Sequence, residues 1–506
     1  MAQSKLSPLV PRRQMALIIC LILVSVIDSV LVGYNSSLMG SLNVMPSYTN
    51  YFSLTTATKS LNTAISYTGG ATASLFAGFI VDWRGRRETI FWAALIALVG
   101  GVIQGAAQNI GMFIAGRFIV GMGMAFAQVA APTLVAETTP VKYRGFALGL
   151  YYACWGVGTL IASGVCYGTQ NIATTWAWRI PSLLQAAPSV FAVLILLFVP
   201  ESPRWLISRD RHEEAIEILT IANGSSVEDV QVQYREIVDT IAFEKQRNLS
   251  LPKALSTKAN RRRLLITSTF SIIVMLPGTN IVTFYFGDMM AGAGIESPNT
   301  QLQINIILTS WTLIIAVAAS WFADKLGRKT LCSLSLIGQI ITLFLLGGLT
   351  KLYGTSTNDS GIYGTLAMIF LYNATYAWGI TPLTVLYPPE VLSFDIRAVG
   401  MGIYTFTTKL CGLFVAMVVP FGLAGIGYQF YFVNACADVL MVVFVIFVWV
   451  ETRGLTLEEV DRLFDGEKRE VVRELVKEEV GVDIEVERHA SVSPSVAKEA
   501  VTPTKL

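Results

Sequence analysis

Histidine is nearly absent from this chain, which has two histidines among 506 residues, and only 14% of its residues are charged. Soluble globular proteins usually have about 25% charged residues, so the composition excludes an ordinary soluble fold. Both histidines, His212 and His489, fall in polar segments, and the sequence has no nucleophile elbow, phosphate-binding loop or metal-spaced cluster. We therefore expect no enzyme activity, no metal and no cofactor.

Regular cysteine spacing is also missing. All six cysteines fall inside apolar runs: Cys20, Cys154, Cys166, Cys332, Cys411 and Cys436. Disulfide frameworks and metal sites use recurrent spacings, so these positions predict buried free thiols. The net charge is only +2, which gives no basic field that would attract nucleic acid.

Apolar residues, in contrast, make up 53% of the chain. Because a helix that crosses the hydrocarbon core needs about 20 mostly apolar residues, the sequence predicts an all-α membrane protein in a lipid bilayer. Its twelve predicted spanning helices are 15–36, 62–81, 88–107, 112–134, 145–167, 179–199, 264–288, 302–322, 331–350, 361–388, 398–420 and 428–449. The first has no obvious cleavage site, so we interpret it as a spanning helix rather than a signal peptide.

A charged turn occurs twice between long apolar runs. Its copies are Asp82-Trp83-Arg84-Gly85-Arg86-Arg87 and Asp324-Lys325-Leu326-Gly327-Arg328-Lys329. Charge this dense cannot lie in hydrocarbon, so each copy is predicted to connect two spanning helices outside it. Two charge pairs with the same spacing follow the turns, Glu137 with Arg144 and Glu390 with Arg397. The repetition predicts two homologous halves, as in many secondary transporters.

Lysine and arginine are concentrated in the turns that follow even-numbered spans, whereas the odd-numbered loops hold only Lys59 and Lys351. By the positive-inside rule, both termini are predicted to be cytoplasmic. The predicted domains are an N-terminal segment 1–14, a six-helix bundle 15–199, a cytoplasmic helical linker 200–263, a second six-helix bundle 264–450 and a tail 451–506.

Two polar segments lie outside the predicted bundles. In 200–263, apolar residues at helical spacing predict two or three short amphipathic helices. In the tail, Thr456 and Glu459 have the spacing of a helix cap and predict a helix over 456–463, while the residues after about 465 have the composition of a disordered segment. Among the Asn-x-Ser/Thr sequences, only Asn358 falls in an outward loop, so it is the predicted glycosylation site.

Several ordered motifs resemble those of the major facilitator superfamily and its sugar porter family. They are Gly116-Arg117, Glu137 with Lys142-Tyr143-Arg144-Gly145, Pro200-Glu201-Ser202-Pro203-Arg204 and Val450-Glu451-Thr452-Arg453-Gly454. The motifs Gly33-Tyr34-Asn35-Ser36-Ser37-Leu38-Met39 and Trp178-Arg179-Ile180-Pro181 are similar to the fungal lactose and cellodextrin permease branch. The resemblance implies two pseudo-symmetric bundles, a central substrate site and alternating access.

A set of charged residues is predicted to gate the protein near the cytoplasmic ends of its helices. The set is Asp82, Arg86, Arg117, Glu137, Arg144, Glu201, Asp324, Arg328, Glu390, Arg397 and Glu451. Opposite charges in this arrangement could latch the bundles in the outward-facing state and release them when the protein opens inward. The alternative is that these residues only set topology and pack loops.

The substrate site implied by the resemblance departs from the sugar porter pattern. Val274 and Met275 stand where two glutamines are expected, Tyr152 replaces another glutamine, and Val385 replaces a tryptophan. The lost hydrogen bonds disfavour an ordinary hexose. Residues for a rebuilt site are Asn35, Tyr152, Trp155, Asn280, Tyr285, Trp311, Thr312, Tyr376, Trp378 and Thr408. Simple helix packing is the alternative role for each aromatic residue.

Proton coupling is a second open point. Proton symporters of the family carry Asp where this chain has Asn35, and an asparagine cannot titrate. Asp28 lies on roughly the same helical face and could bind and release a proton. Lys409, deep in its helix, could pair with an acid or attract an anionic substrate. A structural ion pair or a lysine that snorkels to water are the alternatives.

The leading hypothesis is a monomeric plasma-membrane carrier of a sugar or related polyhydroxylated solute, acting as a facilitator or proton symporter. A second hypothesis keeps the carrier but changes the cargo to an organic acid, a glycoside or a secondary metabolite. A third is a sugar sensor that binds its ligand without moving it, for which the tail is short.

Overall fold

The computed structural model describes residues 6–224, 227–246, 257–354, 356, 358–393, 396–454, 460 and 463–464. The described chain is helical. In the first half lie α1 (Gln14–Leu42), α2 (Pro46–Thr49), α3 (Thr56–Arg84), α4 (Arg86–Gly105), α5 (Ile110–Thr138), α6 (Val141–Thr169), α7 (Trp176–Leu184) and α8 (Ala187–Leu196). The segment that follows contains α9 (Pro203–Ser208), α10 (His212–Asn223) and α11 (Val227–Gln246).

The second half repeats this plan. Its helices are α12 (Lys258–Met275), α13 (Thr279–Phe284), α14 (Phe286–Gly292), α15 (Pro298–Leu326), α16 (Arg328–Tyr353), α17 (Asp359–Val391), α18 (Arg397–Ile426) and α19 (Gln429–Val448). The predicted tail helix over 456–463 and the tail after 465 fall mainly outside the described residues. We call the end of the molecule that carries turns 82–87 and 324–329 the charged end, and the opposite end the neutral end.

Within the described chain, ten helical segments are long and apolar enough to cross a membrane. The predicted span 264–288 is not among them, because Pro277 and Gly278 interrupt it and separate α12 from α13. The predicted span 361–388 lies within α17, which contains three prolines and is not among the ten either. The predicted span 179–199 corresponds to one of the ten, Trp176–Leu196, within which α7 ends at Leu184 and α8 begins at Ala187.

The break between α12 and α13 leaves backbone groups without helical partners. The Tyr376 hydroxyl donates to the Val274 carbonyl at 3.0 Å. The Asn434 amide, oriented to satisfy both groups, donates to the Leu276 carbonyl at 3.3 Å and accepts from the Gly278 N–H at 2.8 Å. Side chains of neighbouring helices thus supply hydrogen-bond partners for the backbone groups at the break, as irregular structure at membrane depth requires.

Helix packing repeats between the halves. In the first half α4 and α3 pack on α5, α1 packs on α6, and α4 packs on α8. The equivalent pairs in the second half are α16 and α15 on α17, α12 on α18, and α16 on α19. Two further pairs, α3 with α18 and α6 with α15, join the halves and are themselves equivalent. This pattern is the pseudo-symmetric pair of helix bundles that the doubled charged turn predicts.

The crossing of α1 and α6 depends on glycines that let two backbones touch. A Cβ added at Gly158 would overlap the Val30 carbonyl oxygen, and one added at Gly33 would overlap that of Trp155. Small residues at such positions permit the close helix contact that stabilises membrane bundles. On the same helix, an added Cβ at Gly164 meets nothing within 4 Å.

We therefore expect Gly158→Ala to lower the free energy of unfolding by about 1–3 kcal/mol, because α1 and α6 must separate. Gly164→Ala is the matched control and should leave stability unchanged or slightly raised, since alanine favours helix. Thermal unfolding of the purified variants in one detergent measures both. Equal melting temperatures for the two variants would show that this crossing is not tightly packed.

Candidate functional site

The two halves are joined by polar contacts at the neutral end. An ion pair connects Lys59 Nζ to Asp288 Oδ1 at 3.4 Å. Hydrogen bonds link Asn43 Nδ2 to the Phe284 carbonyl at 3.3 Å, Asn305 Nδ2 to Ser41 Oγ at 3.1 Å, and Gln170 Nε2 to Asn299 Oδ1 at 2.9 Å. The backbones also meet directly, because a Cβ at Gly40 would overlap the Thr283 carbonyl oxygen. In this conformation the neutral end is closed.

Three tyrosines from different segments of the chain lie near one another between the halves. Tyr67 of α3 contacts Gly412 of α18, and its ring lies edge-on to Phe284 with centroids 5.9 Å apart. It is within electrostatic range of both Tyr285 and Tyr376. Tyr285 and Tyr376 were predicted as substrate residues, whereas Tyr67 was missed because no sequence motif marks the contact between α3 and α18.

Polar anchors hold two of these tyrosines. The Tyr285 hydroxyl donates to the Ala416 carbonyl at 2.6 Å, and that of Tyr376 donates to Val274 at the break after α12. Tyr285 is fully buried, while Tyr67 and Tyr376 are half-buried. Tyrosines combine an apolar ring face with a hydroxyl, which suits a solute with both kinds of surface. We call Tyr67, Tyr285 and Tyr376 the tyrosine cluster.

Arg117 lies deep in the first half rather than at the charged end. It is 2% exposed. Its Nη1 donates to Asn35 Oδ1 at 2.8 Å and its Nε donates to the Asn62 carbonyl at 3.0 Å. The predicted location of Arg117 beside the charged turns is wrong because α5 begins at the neutral end, with Ile110, only two turns before it. Asn35 is in turn held by this arginine.

The other predicted substrate residues are dispersed. Trp311 donates to the Phe370 carbonyl at 3.3 Å, and Thr312 donates to Leu308 of its own helix at 2.8 Å. Thr408 donates to Tyr404 of its own helix at 2.7 Å and to Ser271 Oγ of α12 at 3.0 Å. Trp155 and Trp378 are half-buried, and the side chains of Tyr152 and Asn280 lie outside the described part of the structure. Substrate contact by these residues stays a prediction.

A second polar group joins the halves at mid-depth. Lys409 of α18 donates from Nζ to Gln128 Oε1 of α5 at 2.9 Å, and its stem passes over Gly70 of α3. Asp28 of α1 is 4% exposed, accepts from the Tyr151 hydroxyl at 3.1 Å and lies within electrostatic range of Lys409. A cation of the second half thus reaches into the first half beside a buried carboxylate.

At the charged end, the turn 82–87 is fixed by two carboxylates. Gly85 has φ of 101°, which permits the sharp turn between α3 and α4. Glu201 accepts from the backbone N–H groups of Arg86 at 2.8 Å and Arg87 at 3.1 Å, so a negative charge caps the N-terminus of α4. The Arg86 side chain bonds Glu137 of α5 at 3.0 and 3.1 Å.

The second half repeats this arrangement residue for residue. Gly327 has φ of 89°, and Glu451 accepts from the backbone of Arg328 at 2.7 Å and of Lys329 at 3.0 Å. Arg328 bonds Glu390 at 2.8 and 3.1 Å. A hydroxyl completes each network, from Ser202 to Glu137 and from Thr452 to Glu390. We call these sets the charged networks.

Burial raises the pKa of the Glu201 carboxyl, and the hydrogen bonds that it accepts from backbone N–H groups act in the opposite direction.

The bonds of each charged network lie within one half. They tie the glycine turn to α5 in the first half and to α17 in the second, and they also tie it to the segment after the last span of that half. Asp82 belongs to the first network through Arg86, at 3.2 Å. Arg144 and Arg397 donate to the Thr139 and Leu392 carbonyls. The Asp324 side chain is outside the described part of the structure.

Comparison with known proteins gives a consistent result. A family model described as "Sugar (and other) transporter" matches residues 21–464. The MFS-type transporter criB of Aspergillus cristatus is 27% identical over 445 residues, which cover 87% of this chain and 91% of that protein. The sugar transport protein MST7 of Oryza sativa subsp. japonica is 29% identical over 412 residues, with 80% and 79% covered. The inward-open structure of the xylose transporter XylE from E. coli has a TM-score of 0.72 at 23% identity, covering 88% of this chain and all of that one.

The charged networks predict unequal effects for two arginines of the same turn. Arg86 and Glu137 have side chains only 11% and 14% exposed, so Arg86→Gln should strand a buried carboxylate and cost about 3–5 kcal/mol of stability. Arg84 pairs with Glu88 at 47% and 42% exposure, so Arg84→Gln should cost at most about 1 kcal/mol. Chemical denaturation of both variants compares them. A cost for Arg84→Gln as large as that for Arg86→Gln would contradict this assignment.

Proposed function

The chain belongs to the Sugar (and other) transporter family, and we propose that it moves a sugar or related polyhydroxylated solute across the membrane by alternating access. It is a multi-pass membrane transporter of the major facilitator fold. The observation that supports the cargo class is the tyrosine cluster, which lies where the two halves meet below a closed neutral end. The half-buried rings of Tyr67 and Tyr376 could stack on apolar sugar faces, and their hydroxyl oxygens could accept hydrogen bonds from sugar hydroxyls, while Tyr285 supports them from behind.

The orientation that we propose follows from the positive-inside rule. The charged end lies on the cytoplasmic side, with both termini, and the neutral end faces outward. The closed neutral end then corresponds to a conformation that faces the cytoplasm. We further propose that the protein is a monomer of the plasma membrane and that Asn358, exposed at the start of α17, carries a glycan.

The charged networks are the proposed gate at the cytoplasmic side. In the present conformation their bonds stabilise each half separately. Arg144 and Arg397, which now donate to backbone carbonyls, would become bridges between the bundles when the charged end closes. Their interactions would therefore differ between the two states, which is what a gate requires.

A non-sugar cargo is favoured by one specific observation, the Lys409 ammonium at the interface of the halves. Its hydrogen bond to the neutral Gln128 does not cancel its positive charge, for which an anionic solute could compete with Asp28. An organic acid is therefore the second candidate cargo. Glycosides and secondary metabolites with acidic groups belong to the same class.

A transport screen tests the proposed function. The full chain is expressed in a cell that lacks endogenous carriers, and uptake of labelled hexoses, disaccharides, polyols and organic acids is measured at two pH values. Uptake of a polyhydroxylated solute supports the proposal, uptake of acids alone supports the second candidate, and movement of none of them contradicts both. The last outcome, combined with binding of a sugar to the purified protein, would identify a sensor.

The same screen tests alternating access. Gly40→Val places a side chain against the Thr283 carbonyl, so the neutral end cannot close, and we expect uptake of the identified cargo to fall at least about tenfold. Gly168→Val on α6 is the matched control, since a Cβ there meets nothing within 4 Å. Both variants are compared at equal surface expression. Undiminished uptake by the Gly40 variant would contradict closure at this point.

A further inference from the structure

The group around Lys409 differs from the rest of the contact between halves because it is charged and lies at mid-depth. Asp28 is 14 residues from the start of α1 and Lys409 is 12 residues from the start of α18. At about 1.5 Å per residue, each lies roughly 18–21 Å from the charged end of its helix. A lysine side chain cannot reach water over that distance along its own helix, so simple snorkelling does not account for Lys409.

Lys409 is held by the opposite half. Its contacts are the Gln128 amide oxygen on α5, at 2.9 Å, and the bare backbone of Gly70 on α3, which leaves room for its stem. An ammonium has three N–H donors, and the amide of Gln128 is neutral. The hydrogen bond therefore positions the cation without neutralising it, and its charge is left to act on nearby groups.

Asp28 is the acid that interacts electrostatically with this cation across the interface, at a separation beyond that of a direct ion pair. One carboxylate oxygen, Oδ2, accepts from Tyr151, and the other, Oδ1, accepts no hydrogen bond from the described residues. The titratable groups that act on Asp28 are the Tyr151 hydroxyl from α6 and the Lys409 ammonium from α18. Gln128 of α5 and Gly70 of α3, which contact Lys409, carry no charge. Among the described residues, the cation that acts on Asp28 is therefore Lys409, which belongs to the other half.

We propose that Asp28 and Lys409 form a proton-controlled tether between the two halves. When Asp28 is ionised, its attraction for Lys409 stabilises the present conformation, in which the neutral end is closed. When a proton from water binds the carboxylate, an O–H bond forms, the negative charge disappears and the attraction is lost. Loss of the attraction favours the outward-facing conformation, in which the acid takes its proton from the outer side. Release of that proton to the cytoplasm in the present conformation restores the tether.

This inference rests on the proposed function only in requiring that the halves rock. It names the proton as coupling ion and places its site on Asp28 rather than on the neighbouring Asn35, which cannot titrate. The tether spans the interface, so its two partners must move relative to one another when the halves rotate. Protonation of Asp28 therefore shifts the equilibrium between the two conformations.

The test measures conformation and needs no cargo. Spin labels are placed at two exposed positions of the charged end, Lys142 on α6 and Thr330 on α16, in full-length protein whose native cysteines are replaced by alanine. Distances in lipid nanodiscs are recorded by double electron–electron resonance at about pH 5 and about pH 8. We expect the population with a short distance between the two labels, which reports a closed charged end, to rise at least about twofold at the acidic pH.

Three variants decide the assignment. Asp28→Asn mimics the protonated acid, so it should show the acidic distribution at both pH values. Lys409→Met removes the partner and should also abolish the pH response. Asp438→Asn is the matched control, because Asp438 on α19 is equally buried, and neither of its carboxylate oxygens is hydrogen-bonded within the described chain. That variant should keep the full response.

Two results would overturn the tether. One is a wild-type distribution that does not change with pH. The other is a variant that behaves contrary to expectation, namely a pH response that survives Asp28→Asn or Lys409→Met, or that is abolished by Asp438→Asn. A carrier whose cargo lies outside the screened classes would still show the pH response. Failure of the proposed cargo and failure of the tether are therefore distinguishable.

Discussion

The structure depends on one repeated interaction, an arginine–glutamate pair beside a capped helix N-terminus at the charged end. Arg86 with Glu137 and Arg328 with Glu390 each tie a sharp glycine turn to the helix that follows one hairpin later. The backbone of the turn also donates to Glu201 in the first half and to Glu451 in the second, each in the segment after the last span. The turn, the neighbouring helix and this segment are therefore fixed at one point. Each half can thus move as a rigid body, and the weaker contacts between the halves can be exchanged.

Much of this architecture could be predicted from the sequence because its signals are local. Dense charge between apolar runs marks a turn outside the bilayer, and about 20 apolar residues mark a span, wherever their tertiary partners lie. The same rules failed at Pro277 and Gly278, where the break was hidden inside an otherwise apolar run. The depth of Arg117 was also misjudged, although the direction of α5 already placed it near the neutral end.

The centre of the molecule was less predictable, because its contacts join residues far apart in the chain. Asp28 and Lys409 were recognisable as charges within apolar runs. Gln128 and Tyr67 were not, because a glutamine or tyrosine in a spanning helix has no distinctive spacing. Their roles follow only from the packing of α3 against α18 and from the reach of Lys409 across to α5, which no local pattern encodes.

Symmetry at the ends and asymmetry at the centre have a physical explanation. The charged networks stabilise each half, so the same residues serve in both copies, whereas a solute and a coupling ion each need one site. Arg117 shows the consequence, because it lies buried against Asn35, a neutral partner that can accept its hydrogen bond but cannot take up a proton. A titratable carboxylate must therefore act elsewhere if the carrier is proton-coupled. Asp28, a buried acid of the first half within electrostatic range of Lys409, is the group that we propose for this role.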